Sequence, residues 1–195
     1  MSYITPTDIV FDPDRLAADW QLIERKFPNQ QVNLRTIDER VANPVGFQSS
    51  FNPVLYGNGS LHVDGVPWEN DRNWIKYIDR FNNLYIIDVC RAIEQYVNAH
   101  MQLGVGRARL LTLRSKDCLT LHRDYDNVLR VHVPIVTNSS CFFVNNDIVG
   151  RMPDAGRMYL FDSTVLHTAV NASRERRTHL VVNCYKLVDQ HILGE

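Results

Sequence analysis

The hydrophobic pattern of the chain changes period once. In the first half the apolar positions recur at helical spacing or show no period. In the second half they form short, closely spaced runs. The first periodic segment is "DPDRLAADWQLIERKF". Asp12 stands where an N-cap is needed and Pro13 at the first helical position, and Leu16, Trp20 and Ile23 follow on one stripe. This predicts a helix from about Pro13 to Phe27. Residues 28–69 are polar and turn-rich, with short strand-like pieces such as "GFQSSF" and "PVLYG". From Asn70 the helical period returns, with Trp74, Ile78, Phe81, Tyr85, Val89, Ile93 and Val97 on one stripe. The pattern predicts one long helix, or two with a break near Asn82 and Asn83.

After Gly104 and Gly106 the character changes. "RARLLTLR", "CLTLHRD", "VLRVHVPIV", "CFFVNND", "RMYLFD", "VLHTAV" and "THLVVNCY" read as short strands, separated by turns such as "TNSS" and "MPDAG". Helices followed by many short strands predict a mainly β fold with flanking helices. The best architecture is a jelly roll, that is, a double-stranded β-helix or cupin-like barrel. The expected organisation is a single domain over 1–195. Residues 1–106 form a helical and loop-rich support, and 107–185 form the barrel core.

Composition narrows the function. A chain of 195 residues can build one sizeable core. Its formal net charge of -1 gives no electrostatic case for nucleic acid or a membrane surface. No apolar run approaches the roughly 20 residues of a membrane span. The opening "MSYITPTDIVFDPD" lacks the basic and apolar blocks of a signal peptide, so a cytoplasmic location is expected. Cys90, Cys118, Cys141 and Cys184 form no CxxC pair and are expected to be buried free thiols.

The chemistry concentrates in "LTLHRDYDNVLRVHVPIV", Leu119 to Val136. Its "HRD" is not a kinase catalytic loop. That loop needs an Asn five residues after the Asp, where this chain has Leu129. A metal site fits better. His122 and Asp124 are i and i+2, which share a face in an extended segment. The pair alone says little, because His62-Val63-Asp64 repeats the pattern. His167, inside an apolar run after a turn, supplies a third ligand; His100 and His191 are poorer competitors. Two His and one carboxylate make a facial triad suited to non-haem Fe(II) and O2 chemistry.

Such a centre commonly takes 2-oxoglutarate, whose far carboxylate is best held by a planar guanidinium. Arg174, Arg176 and Arg177 are available, and Arg177 is the one that enters a strand. Arg177, His179 and Val181 would then share a face. Arg130 and His132 share another, opposite Leu129, Val131 and Val133. Outward-facing polar residues are the default for an antiparallel strand, but a polar row facing inward would line a cavity. Alternation does not say which.

The stretch from about Arg107 to Tyr185 resembles the aspartyl/asparaginyl β-hydroxylase family of 2-oxoglutarate-dependent oxygenases. Within it, the small bacterial free-proline cis-4-hydroxylases look nearest. The resemblance rests on "HRDY" at His122 to Tyr125, "LRVHVPIVTN" from Leu129, "GRMYLFDSTVLH" from Gly156 and "RTHLVVN" from Arg177. It implies that His122, Asp124 and His167 ligate Fe(II) and that Arg177 holds the far carboxylate of 2-oxoglutarate. It also implies that Arg130 and His132 lie against co-substrate and metal, with O2 as the other co-substrate. Thr112 is the nearest match to a serine that assists the far carboxylate in some members.

The expected reaction is hydroxylation of an unactivated C–H of a free amino acid or small amino-acid-like molecule. The alternatives are an Asp, Asn or Pro residue in a peptide, a cupin-type metalloenzyme that does not use 2-oxoglutarate, and a binding module that kept the barrel. The loop from Gly46 to Asn70, with Tyr56 and Trp68, could cover the barrel mouth. Arg114, Lys116 and Arg123 are candidate carboxylate partners there.

Overall fold

The computed structural model describes residues 3–26, 31–36, 76–77, 81–124 and 128–187. Strand β1 (Ile4–Val10) leads into helix α1 (Pro13–Lys26). The short strands β2 (Gln31–Asn33), β3 (Arg35–Thr36) and β4 (Lys76–Tyr77) precede helix α2 (Tyr85–Met101). Then come β5 (Leu103–Leu113), β6 (Asp117–Cys118), β7 (Leu129–Val136), β8 (Cys141–Asn145), β9 (Ile148–Gly150), β10 (Arg157–Phe161), β11 (His167–Asn171) and β12 (Arg177–Lys186).

Two sheets form the barrel. The larger has the order β1-β10-β7-β12-β5-β2, and the smaller β6-β11-β8-β9; β3 and β4 pair separately. The pairings within both sheets are antiparallel. This is the mainly β, helix-flanked jelly roll that the strand runs predict.

Both helices follow their sequence signals. Asp12 caps α1, its Oδ1 accepting from the backbone N–H groups of Asp14 (3.0 Å) and Arg15 (3.1 Å). Leu16 and Ile23 are buried, and Trp20 partly so. On α2, Val89, Ile93 and Val97 are buried together with Ile86 and Cys90. The chain turns at residues 82–84 before α2, which is the break expected near Asn82 and Asn83. Lys76 and Tyr77 are strand rather than helix, and Trp74 and Ile78 lie outside the described residues.

Strand alternation divides the core in two. Ala108, Leu110, Val131, Val133, Ile135, Leu180 and Val182 face the helices and pack with Leu16, Ile23, Ile86 and Ile93. Tyr3, Leu113, Phe143, Tyr159, Phe161 and Ala169 form a second cluster between the sheets. The side chains of Arg130, His132, Arg177 and His179 alternate with the helix-facing set, so they point into the barrel. The polar row that would by default face solvent is therefore the inner face.

Three strands depart from the sequence reading. β1 lies in the half from which helices and loops were expected. Among the described residues it is an edge strand, paired with β10 on one side and largely exposed, so its "ITPTDIV" needs few apolar residues. β5 runs straight through Gly104 and Gly106. At Gly104 the missing side chain makes room for the Tyr185 ring, which a Cβ would approach to 2.6 Å. Among the described residues, "CLTLHRD" joins a strand ladder at β6 and at an isolated bridge between His122 and His167. The chain leaves the ladder there, which frees His122 and Asp124 to turn inward.

Candidate active site

His122, Asp124 and His167 come together. One ligand atom from each lies within 4.8 Å of the others. The bridge that closes the barrel at this point makes the pair of histidines: His122 N–H donates to the His167 carbonyl (3.0 Å), and His167 N–H donates to the His122 carbonyl (2.8 Å). Their rings stand 4.4 Å apart between centroids. The Asp124 backbone is tied across the site, its N–H donating to the Ser163 carbonyl (3.0 Å).

The hydrogen bonds fix which imidazole nitrogens are free. His122 Nδ1 is 2.6 Å from the Thr120 carbonyl, and His167 Nδ1 is 2.8 Å from the Val165 carbonyl. A carbonyl only accepts, so each Nδ1 carries the proton and each Nε2 keeps its lone pair. His122 Nε2 lies 3.9 Å from Asp124 Oδ1. Burial holds both rings neutral, pushing His122 below its ordinary value and His167 down to about 4.

Asp124 is organised in the same way. Arg130 Nη2 donates to its Oδ1 at 2.6 Å, while Oδ2 is buried and has no hydrogen-bond partner among the described residues. Burial pushes the carboxyl up, and the Arg130 guanidinium beside it pulls it below its ordinary value, so it is ionised. Two bare imidazole nitrogens and an ionised carboxylate thus lie within 4.8 Å of one another, and one carboxylate oxygen is without a partner among the described residues. Nitrogen and carboxylate donors in this set suit a divalent transition metal with open positions. The Nδ1–H···O=C bonds and the Arg130 pair are the outer contacts that orient such ligands.

A second polar group lies deeper between the sheets. Arg177 is 1% exposed, and among the described residues no carboxylate lies within ion-pair distance of it. Its guanidinium sits 4.6 Å over the Phe143 ring. Phe143 also packs on Phe161, and Phe161 packs edge-on against both His132 and His167. Arg177 and the cluster of His122, Asp124 and His167 thus share one aromatic-lined interior. Burial lowers the Arg177 pKa to about 10, which leaves it a cation at neutral pH.

The remaining expected residues divide. Arg130 and His132 reach this interior. Thr112 does not: its hydroxyl lies 2.9 Å from that of Thr178, and alternation puts both on the helix-facing side of the sheet, away from Arg177. Arg114, Lys116, Arg123, Arg174 and Arg176 are exposed. His62, His191 and the loop from Gly46 to Asn70 lie outside the described residues. All four cysteines are free; Cys90, Cys141 and Cys184 are buried, whereas Cys118 is exposed. Sequence reading assigned no role to buried His179, Arg109 and Asn183, or to Ser163, whose buried hydroxyl has no partner among the described residues. A signal existed for the strand residues. "RAR" in β5 and "RTHLVVN" in β12 place polar side chains at period two on the face that carries Arg177.

The sequence profile of the Aspartyl/Asparaginyl beta-hydroxylase family matches residues 74–186, more than half of the chain. No curated protein sequence matches it. Among solved structures, the viral collagen prolyl hydroxylase of Paramecium bursaria Chlorella virus-1, determined as its 2OG complex, is similar with a TM-score of 0.56 at 9% identity. The match covers 95% of this chain and 97% of that one. A prolyl-4-hydroxylase of Pseudomonas putida is similar with a TM-score of 0.52 at 13% identity, covering 95% and 93%. At such identities the likeness shows a shared fold. No helix among the described residues is long and apolar enough to cross a membrane.

Proposed function

The chain belongs to the Aspartyl/Asparaginyl beta-hydroxylase family and is an oxygenase-type hydroxylase, and from that premise we propose that it is an Fe(II)- and 2-oxoglutarate-dependent dioxygenase. Its substrate in this reading is a free amino acid or a small amino-acid-like molecule. The observation that carries the reading is the buried Arg177, with no carboxylate partner among the described residues, in the same interior as the His122, Asp124 and His167 cluster. A buried cation without a counter-charge is costly unless an anion completes it. A dicarboxylate that meets the metal at one end and Arg177 at the other satisfies both needs.

His122 Nε2, His167 Nε2 and Asp124 Oδ2 hold the metal in this account. Arg130 keeps Asp124 Oδ1 occupied, so that the carboxylate presents its other oxygen. Arg177 takes the far carboxylate, and His132 forms the wall between the two. Phe143 and Phe161 keep water out, which strengthens the charge contacts inside. Bound Fe(II), with 2-oxoglutarate and O2, supplies the oxidising power needed to hydroxylate an unactivated C–H. The residues supply orientation, charge and dryness.

Incubating the Fe(II)-loaded protein with 2-oxoglutarate, air and separate panels of free amino acids and of Pro-, Asp- or Asn-containing peptides tests the proposal. The expected result is succinate release coupled to a product heavier by one oxygen, in the amino-acid panel. Turnover confined to the peptides would transfer the reading to a peptide hydroxylase. Metal-dependent turnover without 2-oxoglutarate would overturn it.

A further inference from the structure

His179 is a buried polar residue that the functional reading leaves without a role. It is 1% exposed, lies on the inner face of β12 two residues from Arg177, and touches Arg177 and His132 together. Arg177 Nη2 lies 3.0 Å from His179 Nδ1, and His132 Nδ1 lies 3.4 Å from the same atom. We propose that His179 is a neutral strut that fixes the Arg177 guanidinium in place while leaving its full charge to the incoming carboxylate. The proposal rests on the 2-oxoglutarate reading of Arg177.

The direction of the bonds follows from what each group can do. A guanidinium has five donors and no acceptor. His179 Nδ1 must therefore accept, and its ring proton sits on Nε2. His132 Nδ1, facing the same lone pair, must carry its own proton. The sequence Arg177 → His179 ← His132 has donors at both ends and one acceptor in the middle. It is also the one side-chain hydrogen bond that Arg177 makes among the described residues. Arg177 is otherwise steered by the Phe143 face beneath it.

The choice of an imidazole is chemically pointed. A carboxylate at this position would hold the guanidinium as firmly, but it would neutralise Arg177 and compete with the ligand. A neutral acceptor orients the cation and leaves an uncompensated positive charge in a dry interior. Such an interior selects for an anion. Burial first, and Arg177 second, keep His179 from gaining a proton. His132 is held neutral by burial and by Arg177, Arg130 and Arg109.

The test uses three substitutions and one spectrum. Anaerobic titration of the Fe(II)-loaded protein with 2-oxoglutarate should show affinity reduced about tenfold to a hundredfold in His179→Phe, the scale of loss when a group that orients a ligating side chain is removed. His179→Asn, whose amide oxygen can stand where Nδ1 stands, should recover most of it. His179→Asp should bind worse than His179→Asn, because the acceptor survives and the charge does not. Fe(II) affinity should be unchanged in all three. Wild-type affinity in His179→Phe, or equal losses in the Phe, Asn and Asp variants, would overturn the proposal and leave a packing role. Nitrogen-15 NMR of histidine-labelled wild type without metal gives a check independent of folding in the variants. His179 should show a bare Nδ1 and a protonated Nε2, and the opposite tautomer would overturn the strut. Absence of 2-oxoglutarate binding by the wild type would instead sink the functional reading, which separates the two failures.

Discussion

At the scale of single residues, the site works by leaving atoms unsatisfied in a controlled way. Each ligand side chain has one polar atom tied to the protein and one left over. Thr120 and Val165 carbonyls take the Nδ1 protons, and Arg130 takes Asp124 Oδ1. The left-over atoms would cost about 1–3 kcal/mol each if nothing filled the gap. In the proposed reading, Arg130 orients Asp124 for the metal before it is anything for the co-substrate. Arg130→Met should weaken Fe(II) binding by about 10–100-fold, measured by anaerobic titration. Unchanged Fe(II) affinity would show that Asp124 does not need its partner. These residues were largely legible in the sequence. His122, Asp124, His167 and Arg177 are each singled out by residue type and spacing, and the structure brings the first three within 4.8 Å of one another. His179 was seen only as sharing a face with Arg177, because a lone His inside an apolar strand carries no mark of its partners.

At the scale of elements, the question is what holds the two sheets where the site needs them. The helices do this from one side, and α2 is anchored by a residue of α1. Leu84 precedes α2 without a side-chain cap, and the N–H of Ile86 in the first turn is taken by Asp19 Oδ2 at 2.8 Å. Asp19 is buried, so this bond joins the two helices at the start of α2. Asp19→Ala should cost about 1–2 kcal/mol, the ordinary loss for a helix cap, read from urea denaturation of the metal-free protein. A change within error would mean that water replaces the carboxylate. No sequence reader could assign this contact, because it depends on the helix packing and not on the order of residues around Leu84. The same holds for the inner and outer faces of β7. Arg130 and His132 alternate with Val131 and Val133, and alternation gives a period without a sign. Only the helices, by claiming the valines, decide that the charged face is the interior.

At the scale of the whole molecule, the barrel encloses an excess of positive and titratable groups. The jelly roll was legible from the strand runs after Gly104. The edge strand β1 was not, because a strand paired on one side is free to be polar. The enclosed histidines give the fold a defined acid sensitivity. His122, His132, His167 and His179 all have lowered values in the fold, with burial as the first cause; that of His167 is about 4 against an ordinary 6.5. Between those values the unfolded chain binds protons that the folded chain refuses. Stability contributed by these groups is therefore complete above about pH 6.5 and is lost as pH falls toward 4. The urea midpoint of the metal-free protein should decline steadily across that range, and a flat midpoint would contradict the neutral interior. The central claim is that one closed interior holds a metal at one end and a dicarboxylate at the other. Calorimetric titration under anaerobic conditions tests it most directly, adding Fe(II) and then 2-oxoglutarate to the wild type and to Arg177→Ala. The account predicts Fe(II) binding in both proteins and 2-oxoglutarate binding that is strong in the wild type and largely lost in the variant. Equal 2-oxoglutarate affinity in the two, or none in the wild type, would contradict it.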